Sequence, residues 1–143
     1  MAFITPDSYA DVDMNSAALA PKITVTAGAV LSAGLPVQIR SDGLAYPATS
    51  TYVQTQTLTT SGSSFGTLSV IDFDGIAAQS YAVGEKATIF GVGTIFHLST
   101  GLTPGNKLYV SGSSTGQWST TALVSGDAPC AKVISTENAV VIR

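Results

Sequence analysis

Gly84-Glu-Lys-Ala87-Thr-Ile89 is the stretch that decides the fold, because the chain repeats its pattern twice more, as Gly34-Leu-Pro-Val37-Gln-Ile39 and Gly105-Asn-Lys-Leu108-Tyr-Val110. In each copy a glycine and two spacer residues precede apolar side chains at alternate positions. Side chains alternate sides along an extended chain, so each copy describes a turn that launches a strand with one buried face. The same grammar recurs around them. Ile23-Thr-Val25-Thr alternates, and Ser41-Asp42-Gly43 puts Asp and Gly where a tight turn wants positive φ. Ala87 to Leu98 reads as one long strand, bent at Gly91 and Gly93 so that it serves both sides of a small barrel. Ala131-Lys-Val133-Ile134 and Ala139-Val-Val141-Ile142 read as a closing hairpin. Short strands at this spacing predict an all-β fold, a small antiparallel β-barrel or β-sandwich.

Residues 1–21 break the pattern and are expected to form an extended N-terminal arm on a β-barrel domain of residues 22–143. Phe3, Ile4 and Tyr9 are its apolar anchors, Asp13 can cap a helical turn, and Pro21 would stop it. Residues 48–67 form a second departure, a loop or hairpin excursion from the domain. Val53-Gln-Thr55-Gln-Thr57-Leu-Thr59 has strong β propensity with little apolar content, and Ser61-Gly62-Ser63-Ser64 makes a flexible tip. Leu68-Ser-Val70-Ile71-Asp-Phe73 then reads as the next strand of the domain, with Asp74-Gly75 as its turn.

Composition narrows the function classes. Charged residues make up only 10% of the 143, against roughly 25% in a typical soluble domain. Serine and threonine fill the gap, at 17 and 18 residues. A polar but weakly charged surface suits a chain that packs against copies of itself or a partner, where every charge needs a mate or loses its hydration. The net charge is −3 and the six basic residues are scattered, so nucleic acid finds no electrostatic footing. The N-terminus carries Asp7, Asp11 and Asp13 in place of a basic and then apolar leader. No run approaches the ~18 apolar residues of a membrane span. A soluble protein made in a cytoplasm is expected.

Residues equipped for chemistry are few. His97 is the only histidine and lies in an alternating strand beside Phe96 and Leu98, where a structural or surface role outweighs that of a base or ligand. No Gly-x-Ser-x-Gly elbow accompanies the many serines. Asp11-Val-Asp13 and Asp72-Phe-Asp74-Gly75 pair carboxylates on one face but lack the further ligands of a calcium loop. Cys130 is alone, which excludes an intrachain disulfide and a multi-cysteine zinc site. The expectation is no catalytic residue, no metal and no cofactor. Trp118 and Tyr109 suit either hairpin packing across residues 111–116 or a sugar-stacking platform, and packing is favoured. The candidate partner-binding residues are Phe3, Ile4 and Tyr9 in the arm, Tyr52 and Phe65 in the excursion, and Trp118.

The stretch 22–143 resembles the small β-barrel proteins that decorate, or cement, the heads of tailed bacteriophages. The likeness rests on Ile23-Thr-Val-Thr-Ala27 followed by Val30-Leu-Ser-Ala-Gly34-Leu-Pro-Val37, on Ala82-Val-Gly84-Glu-Lys-Ala87 with Gly91-Val-Gly93, and on Gly101-Leu-Thr-Pro-Gly-Asn-Lys-Leu-Tyr-Val110 with Gly126-Asp-Ala-Pro-Cys-Ala-Lys-Val133. It implies a structural virion protein on the outer capsid surface, commonly a homotrimer, which clamps adjacent major capsid proteins. A carbohydrate- or receptor-binding module of a phage fibre or tail is the alternative. The resemblance brings no catalytic residues.

Overall fold

The computed structural model describes residues 3–4, 11–13, 18–49, 53–60, 63–110, 117–122 and 128–143. Every regular element among them is a strand. In chain order these are β1 (Phe3–Ile4), β2 (Asp11–Val12), β3 (Lys22–Thr26), β4 (Pro36–Ile39), β5 (Ala45–Pro47), β6 (Val53–Thr60), β7 (Ser63–Ile71), β8 (Gly75–Ala77), β9 (Lys86–Phe90), β10 (Ile95–His97), β11 (Lys107–Val110), β12 (Trp118–Ser119), β13 (Ala131–Val133) and β14 (Asn138–Val141). They make a five-stranded antiparallel sheet ordered β3-β9-β8-β4-β5, a seven-stranded one ordered β1-β12-β11-β13-β14-β10-β2, and a separate two-stranded ribbon of β6 and β7. The architecture is a small all-β sandwich.

The repeated glycine phrase has one structural meaning. Gly34, Gly84 and Gly105 adopt φ of 74°, 88° and 94°. The residue after each glycine donates its N–H to the carbonyl three positions back, at 3.1–3.2 Å: Leu35 to Ser32, Glu85 to Ala82, Asn106 to Thr103. That bond, with positive φ at the third residue, marks a type II turn, which glycine fills without a Cβ penalty. Gly93, at 94°, builds a fourth such turn over residues 91–94.

All four turns dock in the same way. The glycine N–H donates to the carbonyl of one residue on a neighbouring segment, and that residue's N–H donates back to the carbonyl that follows the glycine. The docking residues are Ala77 for Gly34, Ala27 for Gly84, Val141 for Gly93 and Val133 for Gly105. Each of the four is 1% exposed or less. Residues 27–39 and 77–89 are therefore equivalent, each lending its first residue to the other's turn. Leu31 and Tyr81 sit at the centre of this exchange, trading both backbone bonds at 3.0 Å.

The turn over residues 91–94 carries the chain from one sheet to the other. The expected long strand is thus two strands, β9 and β10, and the bend between them divides the halves of the sandwich. At the far edge of the five-stranded sheet a parallel bridge joins Ala27 to Ala45, so β3 and β5 meet at one end and the sheet closes on itself there. A cluster of Ala27, Leu31, Val37, Ala45, Ala77 and Ile89, among others, fills the inside of this curl. The main core lies between the sheets and includes Phe96, Leu98, Leu108, Val110 and Trp118 with Ile76 and Phe90 from the opposite side.

The described parts of the N-terminal arm belong to this body. β1 pairs with β12 and β2 with β10, at the two opposite edges of the seven-stranded sheet. Six strand spacings of about 4.8 Å separate such edges in a flat sheet. The seven residue steps from Ile4 to Asp11 reach at most ~25 Å, so the sheet must curl for the chain to connect them.

Candidate functional site

The β6–β7 ribbon is the feature the two sheets do not account for. It spans the register from Val53↔Ile71 to Thr60↔Ser63, with one irregularity where Leu58↔Gly66 gives way to Thr59↔Ser64. Phe65 is the extra residue of that bulge. The excursion is therefore a hairpin, and it ends later than expected. Leu68-Ser-Val70-Ile71 belongs to it rather than to a sheet of the domain, because it is taken up as the partner of residues 53–56. Residues 43–71 contain no Asp, Glu, Lys, Arg or His. Natural sheets blunt free strand edges with charge, proline or a cover, and an isolated two-stranded hairpin is marginal in water. An uncharged ribbon whose outer edges pair with no further strand among the described residues is suited to being covered.

Its root is fastened with care. Gln38 is fully buried, and its Nε2 donates to Asp72 O at 2.9 Å and to Thr49 O at 3.4 Å. Those carbonyls flank the ribbon on its two sides, so one amide holds both legs. Arg40 donates through Nε and a terminal nitrogen to Gln38 Oε1, both at 3.3 Å, and its guanidinium lies 4.3 Å from the centre of the Tyr46 ring. Asp74 adds a second tie: Oδ2 accepts from Ile39 N at 2.7 Å, and its own N–H donates to Val37 O at 2.9 Å. Where a turn at Asp74-Gly75 was expected, Gly75 opens β8 and Asp74 ties the ribbon root instead.

Asp42 steadies the adjoining hairpin. Its carboxylate accepts from the Tyr46 hydroxyl and from Leu44 N–H. These bonds, the Tyr46 bond foremost, hold its pKa below the ordinary carboxylate range, and the nearby Arg40 charge adds to the effect.

β3 is the other end of the five-stranded sheet. Along this strand the bonds to β9 alternate, as in any antiparallel ladder. Ala27 faces β9, donating to Glu85 O and accepting from Gly84 N, while Pro21 O accepts from Gly91 N, all at 2.8 Å. Ile23 and Val25 share their side. Lys22, Thr24 and Thr26 consequently turn both backbone groups the other way, towards the side on which the Ala27–Ala45 bridge closes β3 against β5. Leu19, just before β3, is 92% exposed, and Ile23 within it is 48% exposed. A shallow depression of about 150 Å³ lies between Pro21, Lys22, Ile23, Asp74, Ile89 and Gly91.

The sequence candidates scatter. Trp118 is not a contact residue of the folded chain. It is 0% exposed, stacks on Phe96 at 5.9 Å, meets Phe73 edge-on at 5.7 Å, and donates Nε1–H to Gly34 O at 2.9 Å. A ring with no exposed surface offers nothing to a sugar, and its packing is on Phe96 and Phe73 of the core. Ile4 is half-buried and packs on the main core. Phe3 stands opposite Ser119 in the β1–β12 pair. Phe65 is placed only by its backbone, and Tyr9 and Tyr52 lie outside the described residues.

Gln38 was missed altogether. Alternation in Val37-Gln-Ile39 puts it on the face away from the curl, where it meets the ribbon root. Cys130 is buried, and no cluster of three or more His, Cys, Asp or Glu forms among the described residues. Set against known proteins, the chain matches no protein-family profile, no curated protein and no solved structure.

Proposed function

We propose that this protein decorates the capsid of a tailed bacteriophage: a homotrimer on the outer surface of the head that cements adjacent major capsid proteins and needs no cofactor or catalysis. The observation that carries the reading is the uncharged ribbon of residues 53–71, standing outside both sheets on a clamped root. A cement must cover seams between rigid subunits without leaving buried charges unpaired, and a stiffly rooted ribbon of Thr, Ser, Gln and Val supplies backbone hydrogen bonds at little desolvation cost. The low overall charge and the sequence resemblance point the same way.

Co-sedimentation with undecorated heads of the phage that encodes the protein tests this. Saturable binding, with heads that withstand a higher temperature once coated, is the expected result. Protein that stays in the supernatant at micromolar concentration, with head stability unchanged, overturns it.

A further inference from the structure

We propose that the outer face of the seven-stranded sheet is a contact between two copies of this chain related by a two-fold axis. The inference goes beyond the function proposed above and is independent of capsid binding.

The face follows from the register. Val12, Phe96, Leu108, Ala131, Ala139 and Val141 belong to the main core, so their neighbours along each strand point outward. One row of directly opposite residues runs from Lys107 to Lys132, Val140 and Ile95 across β11, β13, β14 and β10. Asp13, just past the end of β2, extends the row by one strand and donates its N–H to Ile95 O at 2.7 Å. Four strand spacings of about 4.8 Å make the row ~19 Å wide. Its order is two ammonium groups, two aliphatic side chains and one carboxylate. Asp11, opposite His97 in register, adds a second acid at the same end.

The complement of this face is the face itself. Like charges directly opposite one another weaken a sheet, yet Lys107 and Lys132 are both exposed, and neither forms an ion pair among the described residues. Ile134 and Ile142, two positions beyond Lys132 and Val140 on the same side, are 45% and 42% exposed. The face thus has an apolar middle between a basic end and an acidic end. A half-turn about an axis at Val140 lays Lys107 of each copy over Asp13 of the other and sets Val140 against itself. Each end then brings two lysines to two aspartates. Two-fold contacts require this reciprocity, residue i meeting j while j meets i. Sheets stacked face to face at about 10 Å have room for such side chains. A contact of this kind adds to a three-fold ring and pairs one ring with another.

Charge reversal in the full chain tests the contact. Lys107→Glu with Lys132→Glu gives one variant, and Asp11→Lys with Asp13→Lys gives the other. By sedimentation velocity the unaltered chain is expected as an even number of 14.5 kDa copies, two alone or six where a three-fold ring also forms. Each variant alone is expected at half that number, with the blue-shifted emission of buried Trp118 retained. If the doubly changed aspartate variant loses that emission, Asp13→Lys alone takes its place. An equimolar mixture of the two variants is expected to restore the full number, because each reversed end then meets its opposite.

An unaltered chain with an odd number of copies, folded variants that keep the unaltered mass, or a mixture of folded variants that does not reassociate overturns the proposal. Odd-numbered particles that coat heads would sink this inference alone. Even-numbered particles that ignore heads would sink only the capsid reading.

Discussion

Gln38 shows how much one side chain can hold in place. Its amide satisfies two carbonyls at the legs of the ribbon and its oxygen takes two bonds from Arg40, all within a strand that is otherwise apolar. Leucine at this position would fill much of the space and strand those carbonyls. The expected cost of Gln38→Leu is about 1–3 kcal/mol, read by urea denaturation, with faster amide exchange at residues 72–74. Thr94 is the converse case. It is 0% exposed and its hydroxyl has no hydrogen-bond partner among the described residues, so Thr94→Val should raise stability by ~1 kcal/mol and raise Tm accordingly. Asp42 carries a pH signature. Its folded pKa is depressed, so its contribution is fully present above the unfolded pKa and fades as pH falls through the lower, folded value. Carboxyl titration by NMR should place Asp42 below an ordinary aspartate, and Tyr46→Phe should return it most of the way.

At the scale of the element, the type II turn is the unit from which both sheets are assembled. Each turn satisfies its own backbone and one docking residue opposite, so a strand start is fixed before its side chains pack. Gly84 and Gly75 separate two reasons for glycine. A Cβ on Gly84 would meet nothing within 4 Å, and only its φ of +88° resists substitution. Gly84→Ala should therefore cost about 1 kcal/mol. A Cβ on Gly75 would fall 2.3 Å from the carbonyl oxygen of Phe90, where β8 passes close to the end of β9. Gly75→Ala should cost clearly more than Gly84→Ala in the same denaturation assay, because backbone has to move. Equal losses would contradict this account of the β8–β9 approach.

For the whole molecule, the two hydrophobic clusters, as the described side chains define them, lie in and between the two sheets. Removing residues 54–70 should leave the monomer's secondary structure by circular dichroism and its Trp118 emission unchanged, whatever it does to association. A cooperative loss of both signals would mean that the ribbon is part of the core. Trp118 itself ties the halves together, since it packs on the seven-stranded side and bonds to Gly34 of the other. Its replacement by alanine should cost ~3–5 kcal/mol.

Much of this was legible in the chain because it depends on local rules. Alternation with a glycine before each strand marks three of the four turns, since positive φ and a period of two leave a direct trace in residue types. The lack of charge across residues 43–71 is visible in the same way and already sets that segment apart. Tertiary structure alone decided the rest. That Leu68-Ser-Val70-Ile71 pairs back on the ribbon, that Ala87 to Leu98 breaks between two sheets, and that Gln38 and Trp118 are buried all depend on which segment lies opposite. Such partners are chosen by contacts distant in sequence, and a side chain's own alternation says which face it is on but not what covers that face.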